Sequence, residues 1–155
     1  MTPRQACLNC LERDPPALFE AALWIAVEHD PQVDPAQVMK AVMALQHEVS
    51  NSLPMLPLHE LAQPLLRKLC ALGFQEDEYH PVKPQAALLD QVLLRRRGQP
   101  LTLALLALEL ARRLSIPLEG VNFPGHFLVR VPGADHLLDP CLLYTSDAAD
   151  EEDSV

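Results

Sequence analysis

Hydrophobic positions in the first hundred residues recur at helical spacing, and prolines with aspartates divide them into segments. "DPPALFEAALWIAVEHD" puts Asp14 at an N-cap and prolines at the first helical positions, with Leu18, Ala22, Ile25 and Ala26 along one face. "DPAQVMKAVMALQHEVS" repeats the device with Asp34 and Pro35 and is expected to bury Val38, Val42, Leu45 and Val49. A proline-rich linker, "SLPMLPL", precedes a third helix, "LHELAQPLLRKLCALGF", expected to bend at Pro64 and to stop at Gly73. After the loop "QEDEYHPVKP", a fourth helix, "PQAALLDQVLLRRRG", carries arginines in its last turn and should end at Gly98.

The pattern in "QPLTLALLALELARRLSIP" differs. Pro100 suits the first helical position, and leucines occupy most of the circumference. Thr102, Glu109 and Arg113 alone form a narrow polar stripe at helical spacing. A helix apolar nearly all round is enclosed by other elements, so this is expected to be the central helix, with Leu103, Leu106 and Leu110 deeply buried.

Beyond it the period falls to two. "EGVNF", "HFLVRV" and "HLLD" read as short strands. A two-residue turn at Pro132-Gly133 would set Val131 opposite Ala134 and His126 opposite Asp139, with Cβ atoms roughly 4.5–5.5 Å apart. Pro-Gly favours type I or II turns, which fit hairpins less well, and a four-residue loop would move the pairing by two.

Composition adds little until the tail. The chain has 155 residues, 49% of them hydrophobic, which fits a globular domain with a real core. The opening "MTPRQACLNCLERDPP" lacks a signal-peptide core, and "LTLALLALELA" is far short of a membrane span, so a cytoplasmic protein without membrane contact is expected. The last fifteen residues, "CLLYTSDAADEEDSV", are similar to a translated transposase sequencing adapter, and a non-native, unpacked tail from 141 is expected. Setting aside its five acids takes the formal charge from −9 to −4. The short clusters at Arg95–Arg97 and Arg112–Arg113 form no basic stripe, so no nucleic-acid partner is expected.

"CLNC" has redox or zinc spacing, yet no second such pair follows, so Cys7 and Cys10 read as reduced structural cysteines and no metal or cofactor is expected. His29, His47, His59, His80 and His136 follow no ligand spacing and read as solvated.

The run "RRRGQPLTLALLALELARRLSIPLEGVNFPGHFLVRV", followed by "LLDP", resembles the transglutaminase-like core, a papain-like arrangement, and more narrowly the SirB-type family. The resemblance implies an α+β fold: a helical N-terminal region over 1–68, a truncated transglutaminase-like core over 69–140 with a buried helix and a small antiparallel sheet, and the tail over 141–155. In active members a cysteine opens the central helix, where the helix terminus and a neighbouring imidazolium lower its pKa, a histidine comes from the next strand, and an aspartate orients that ring.

His126 and Asp139 match the last two roles. The cysteine should fall near Pro100, but Gln99, Pro100, Leu101 and Thr102 contain no thiol; Cys70 ends an earlier helix and Cys141 lies in the tail. The resemblance therefore implies a non-catalytic module that takes a protein or peptide ligand. The alternative is a hydrolase or acyl-transferase using Thr102 with His126 and Asp139, and a purely regulatory or scaffolding role is a third reading. None of these fixes the oligomeric state.

Overall fold

The computed structural model describes residues 1–76, 88–123, 126–134 and 137–138; for Asn122, Phe123, His126 and Phe127 it describes the strand pairing alone. The described residues form six α-helices and two two-stranded sheets, an α+β fold.

α1 (Pro3–Leu11) is capped by the Thr2 hydroxyl, which accepts from the Gln5 amide at 3.1 Å. α2 (Leu18–His29) begins later than the Asp14-Pro15 signal suggests, with Ala17 at its N-cap and no side-chain cap. Pro16 disfavours helical backbone at Pro15, and the Ala17 amide bonds instead to the Cys10 carbonyl at 3.0 Å, folding the connection back onto the end of α1. The buried face of α2 also differs from the expected one: Phe19, Ala21, Leu23, Ala26 and Val27 point inward, while Leu18 and Ile25 are exposed. The segment is apolar nearly all round, so its periodicity cannot set the phase.

α3 (Pro35–Ser52) follows its pattern. The Asp34 carboxylate accepts from the Ala36 amide at 3.0 Å, and Val38, Val42, Leu45 and Val49 are buried. A 3₁₀ turn (Leu58–Glu60) leads into α4 (Ala62–Ala71). Pro64 therefore lies in the first turn of α4 and starts a helix rather than bending one, because its missing N–H would have had no intrahelical partner there. Gly73, at φ +99°, ends it: the Phe74 amide reaches back to the Leu69 carbonyl and the Gly73 amide to Cys70.

α5 (Leu89–Arg95) ends on Arg96, in the left-handed region at φ +58°, and not on Gly98. That conformation is disfavoured for a side chain, but here it aims the Arg96 guanidinium over the Phe74 ring (5.3 Å) and onto the Leu72 carbonyl. Arg97 donates to the Gly73 carbonyl at 2.8 Å. The stitched segments pair as short parallel strands, β1 (Gln75–Glu76) with β2 (Arg97–Gly98).

β2 feeds directly into α6 (Pro100–Arg113), the expected central helix: Leu103, Leu106 and Leu110 are 5%, 1% and 0% exposed. It packs against α2, α3, α4, α5 and the strands β3 (Glu119–Phe123) and β4 (His126–Arg130), which pair antiparallel from Glu119–Arg130 to Phe123–His126. One hydrophobic core runs from Phe19 to Leu138.

The hairpin register beyond β4 is the one given by the longer loop. Val131, Pro132, Gly133 and Ala134 form a tight turn, with the Ala134 amide on the Val131 carbonyl at 2.9 Å and Gly133 at φ +86°, the type II form. Among the described residues the ladder beyond the turn pairs Val129 with Leu138, bonded both ways at 2.9 and 2.7 Å, two residues away from the two-residue-turn register. A type II turn splays its flanking strands, which fits a register shifted from that of a two-residue hairpin.

Candidate functional site

The start of α6 is where a nucleophile would stand. Gln99 is extended (φ −75°, ψ 156°) and caps without its side chain, Pro100 takes the first helical position, and Thr102 sits in the first turn. Thr102 is 4% exposed, so the stripe expected from the sequence turns inward at this end.

His126 opens β4 and pairs with Phe123, on a strand packed against α6; its side chain lies outside the described residues, as does Asp139. The Val129–Leu138 pairing is two residues away from the register that would set His126 opposite Asp139, so the hairpin argument for that pair does not apply.

Three described cysteines remain, none on α6. Cys10 on α1 is 1% exposed, and burial pushes its thiol above the ordinary range, partly offset by Arg13. Burial likewise raises Cys70 near the end of α4. Cys7 is half-buried. Raised thiols are poor nucleophiles near neutral pH. Cys141 and the tail expected to be unpacked lie outside the described residues. Among the described residues no group of three His, Cys, Asp or Glu side chains could hold a metal ion, and His29, His47 and His59 are exposed.

The polar stripe has a second buried member that its sequence did not reveal as such. Glu109 is 8% exposed, and its carboxylate accepts from Arg112 Nε (3.0 Å), Arg112 Nη2 (2.7 Å) and Arg113 Nε (2.8 Å). Arg113 also donates to Gln46 Oε1 on α3 at 3.3 Å. The signal was legible as Glu109 followed by arginines three and four positions on, the spacing at which helical side chains meet.

A buried central helix fed by a short strand, with an antiparallel hairpin packed on it, defines an α+β core. The comparisons give the class a family: a model for the transglutaminase-like superfamily matches residues 36–149, and the chain belongs to that superfamily. It is 58% identical over 151 residues to a UPF0162 protein of Pseudomonas aeruginosa, covering 95% of this chain and 56% of that protein. A UPF0162 protein of Xylella fastidiosa is 42% identical over 126 residues, 78% of this chain and 44% of its own. A 42-residue stretch is 57% identical to F-box only protein 21 of Homo sapiens, 27% of this chain and 7% of that protein. The chain thus spans about half the length of its bacterial relatives. No solved structure matches it. No helix among the described residues is long and apolar enough to cross a membrane.

Proposed function

We propose that this chain is a non-catalytic transglutaminase-like module of the SirB type that binds a protein or peptide. The observation that carries the reading is the opening turn of α6, Pro100–Leu101–Thr102, which holds no thiol where active members of the superfamily carry one. Thr102 is a poor replacement. A threonine hydroxyl stays protonated without a well-aligned base, and at 4% exposure its side chain is closed to an incoming substrate. Packing of α6 against β3 and β4 supports a groove between these elements for such a ligand.

The test compares the chain with its Thr102→Ala variant in ester-hydrolysis and amine-incorporation assays, and screens both against a peptide library by fluorescence anisotropy. Equal background rates in both proteins, with a shared peptide ligand of Kd below roughly 1 mM, are expected. Turnover that vanishes with the hydroxyl would overturn the reading and assign catalysis to Thr102 with His126 and Asp139.

A further inference from the structure

On the outer side of α6, away from its N-terminus, lies a cleft of about 310 Å³ that Thr102 does not line. That volume is at the small end for ligand pockets and matches a group of one or two amino-acid residues. Its floor is apolar: Leu105 and Leu108 from α6 meet Leu18, which is 44% exposed, and the Pro15-Pro16 connection. Leu18 is thus an apolar side chain of α2 left partly uncovered beside a concave apolar surface.

The rim is charged, and its hydrogen bonding is lopsided. Arg112 reaches over the cleft from α6 and Arg13 from the end of α1. Arg112 is gripped along one edge by Glu109, through Nε and Nη2, which leaves Nη1 directed away from that carboxylate. Arg13 holds both oxygens of Glu20 through Nη1 alone, at 3.3 Å each. A guanidinium carries five N–H donors, so among the described residues both arginines retain unused donors while both glutamates are already engaged.

Glu109 also deserves its burial. It sits in an otherwise apolar helix, and a carboxylate there is costly unless well paired. Arg113, 18% exposed, accounts for one partner by tying α6 to α3. Among the described residues Arg112, 68% exposed, has Glu109 as its hydrogen-bond partner, and that pairing turns one edge of its fork toward the carboxylate beside the cleft. The Glu109 hydrogen bond keeps Arg112 firmly protonated, and Glu20 adds to this from the other wall. Two guanidiniums, each paired to a glutamate on one side and over an apolar floor, are complementary to an apolar group that ends in an anion.

We infer that this cleft binds a carboxylate borne on an apolar group, chemistry supplied by the C-terminus of a peptide ending in a leucine-like residue or by a short fatty acid. The carboxylate takes the free donors of Arg112 and Arg13, and the hydrocarbon lies on Leu18, Leu105 and Leu108.

Acetyl-leucyl-leucine with a free carboxylate, its C-terminal amide and octanoate are titrated into methyl-labelled protein and followed by NMR. The acid should move the methyl signals of Leu18, Leu105 and Leu108, and the amide should bind about tenfold more weakly. Octanoate binding as well as the peptide acid assigns the cleft to short acids in general, and weaker binding assigns it to the peptide terminus. Arg112→Gln and Arg13→Gln should each weaken the acid by about tenfold, leaving the amide unchanged. Arg112→Gln keeps the Glu109–Arg113 pair, and an unchanged unfolding transition checks its fold. Leu18→Ala, at an exposed position, should weaken acid and amide alike. Arg4→Gln, outside the cleft, should change nothing. The inference is overturned if the amide binds as well as the acid, if neither arginine matters, if the shifts fall elsewhere, or if no acid binds below roughly 10 mM.

Discussion

Glu109 is the residue at which stability should depend most sharply on a charge. Its side chain is 9% exposed, and its two arginine partners differ: Arg113 is 18% exposed and Arg112 is 68% exposed. Glu109→Gln keeps the volume and one acceptor but removes the charge, leaving the Arg113 guanidinium with Gln46 at 3.3 Å. A hydrogen bond to a charged group contributes about 1.5–3 kcal/mol, and the Arg113 bond at 2.8 Å is shielded enough to count nearly in full. The Arg112 bonds face water and should add under about 1 kcal/mol. Glu109→Gln is therefore expected to cost about 2–3 kcal/mol, Arg112→Ala under about 1 kcal/mol, and Glu109→Ala about 3–5 kcal/mol. Glu109→Met combined with Arg113→Met should recover most of the loss, because no buried charge is then left alone. Urea unfolding at constant m-value reads these differences, and the Glu109–Arg113 double-mutant cycle isolates the coupling. The reasoning fails if Arg112→Ala costs as much as Glu109→Gln, or if the coupling is below about 0.5 kcal/mol.

Leu106→Ala and Leu110→Ala, at 1% and 0% exposure, should each cost about 2–5 kcal/mol, and Leu101→Ala on the same helix, 49% exposed, under about 1 kcal/mol; chemical denaturation separates them. Asp34→Ala removes the α3 cap and should cost about 0.5–2 kcal/mol, which a melting curve detects and which Asp34→Ser largely restores. Cys10, with a raised thiol and 1% exposure, should react with a thiol reagent only as the protein unfolds, whereas half-buried Cys7 reacts in the native state. Because the folded Cys10 holds its proton more tightly than the unfolded one, stability should fall as pH rises above about 9, with a smaller slope in Cys10→Ala.

Where the sequence coded an element locally, the structure follows it. α3 has an aspartate cap, a proline at its first position and one apolar stripe, and all four expected valines and leucines are buried. α6 is similar: its apolar circumference implied enclosure, and helices with strands enclose it. The departures have two causes: local proline and turn chemistry, as at Pro16, Pro64 and Pro132-Gly133, and contacts that the periodicity does not show. α2 is apolar nearly all round, so its periodicity could not set the phase, and Ile25 faces outward. Arg96 ends α5 because Leu72 and Phe74, more than twenty positions away, receive its guanidinium, and no local pattern around Gly98 could show that.

The candidate site divides along the same line. The absence of a thiol from Gln99 to Thr102 was legible, since it is a fact of residue identity that folding cannot change. The hairpin register was not, because it rested on a turn type: with a type II turn at Pro132-Gly133 the ladder pairs Val129 with Leu138, two residues from the expected register, while Asp139 lies outside the described residues. Burial of the polar stripe was not legible either. Thr102 and Glu109 lie seven residues apart on one side of a helix, which fits equally a narrow solvent-facing strip or an inward polar seam. The arginines resolve it. Glu109 can be buried only because two guanidiniums reach it from the next turn, and Arg113 is itself retained by Gln46 across on α3. The same residues that stabilise the central helix therefore fix Arg112 over the outer cleft, so the stability of α6 and the shape of that cleft are consequences of one carboxylate.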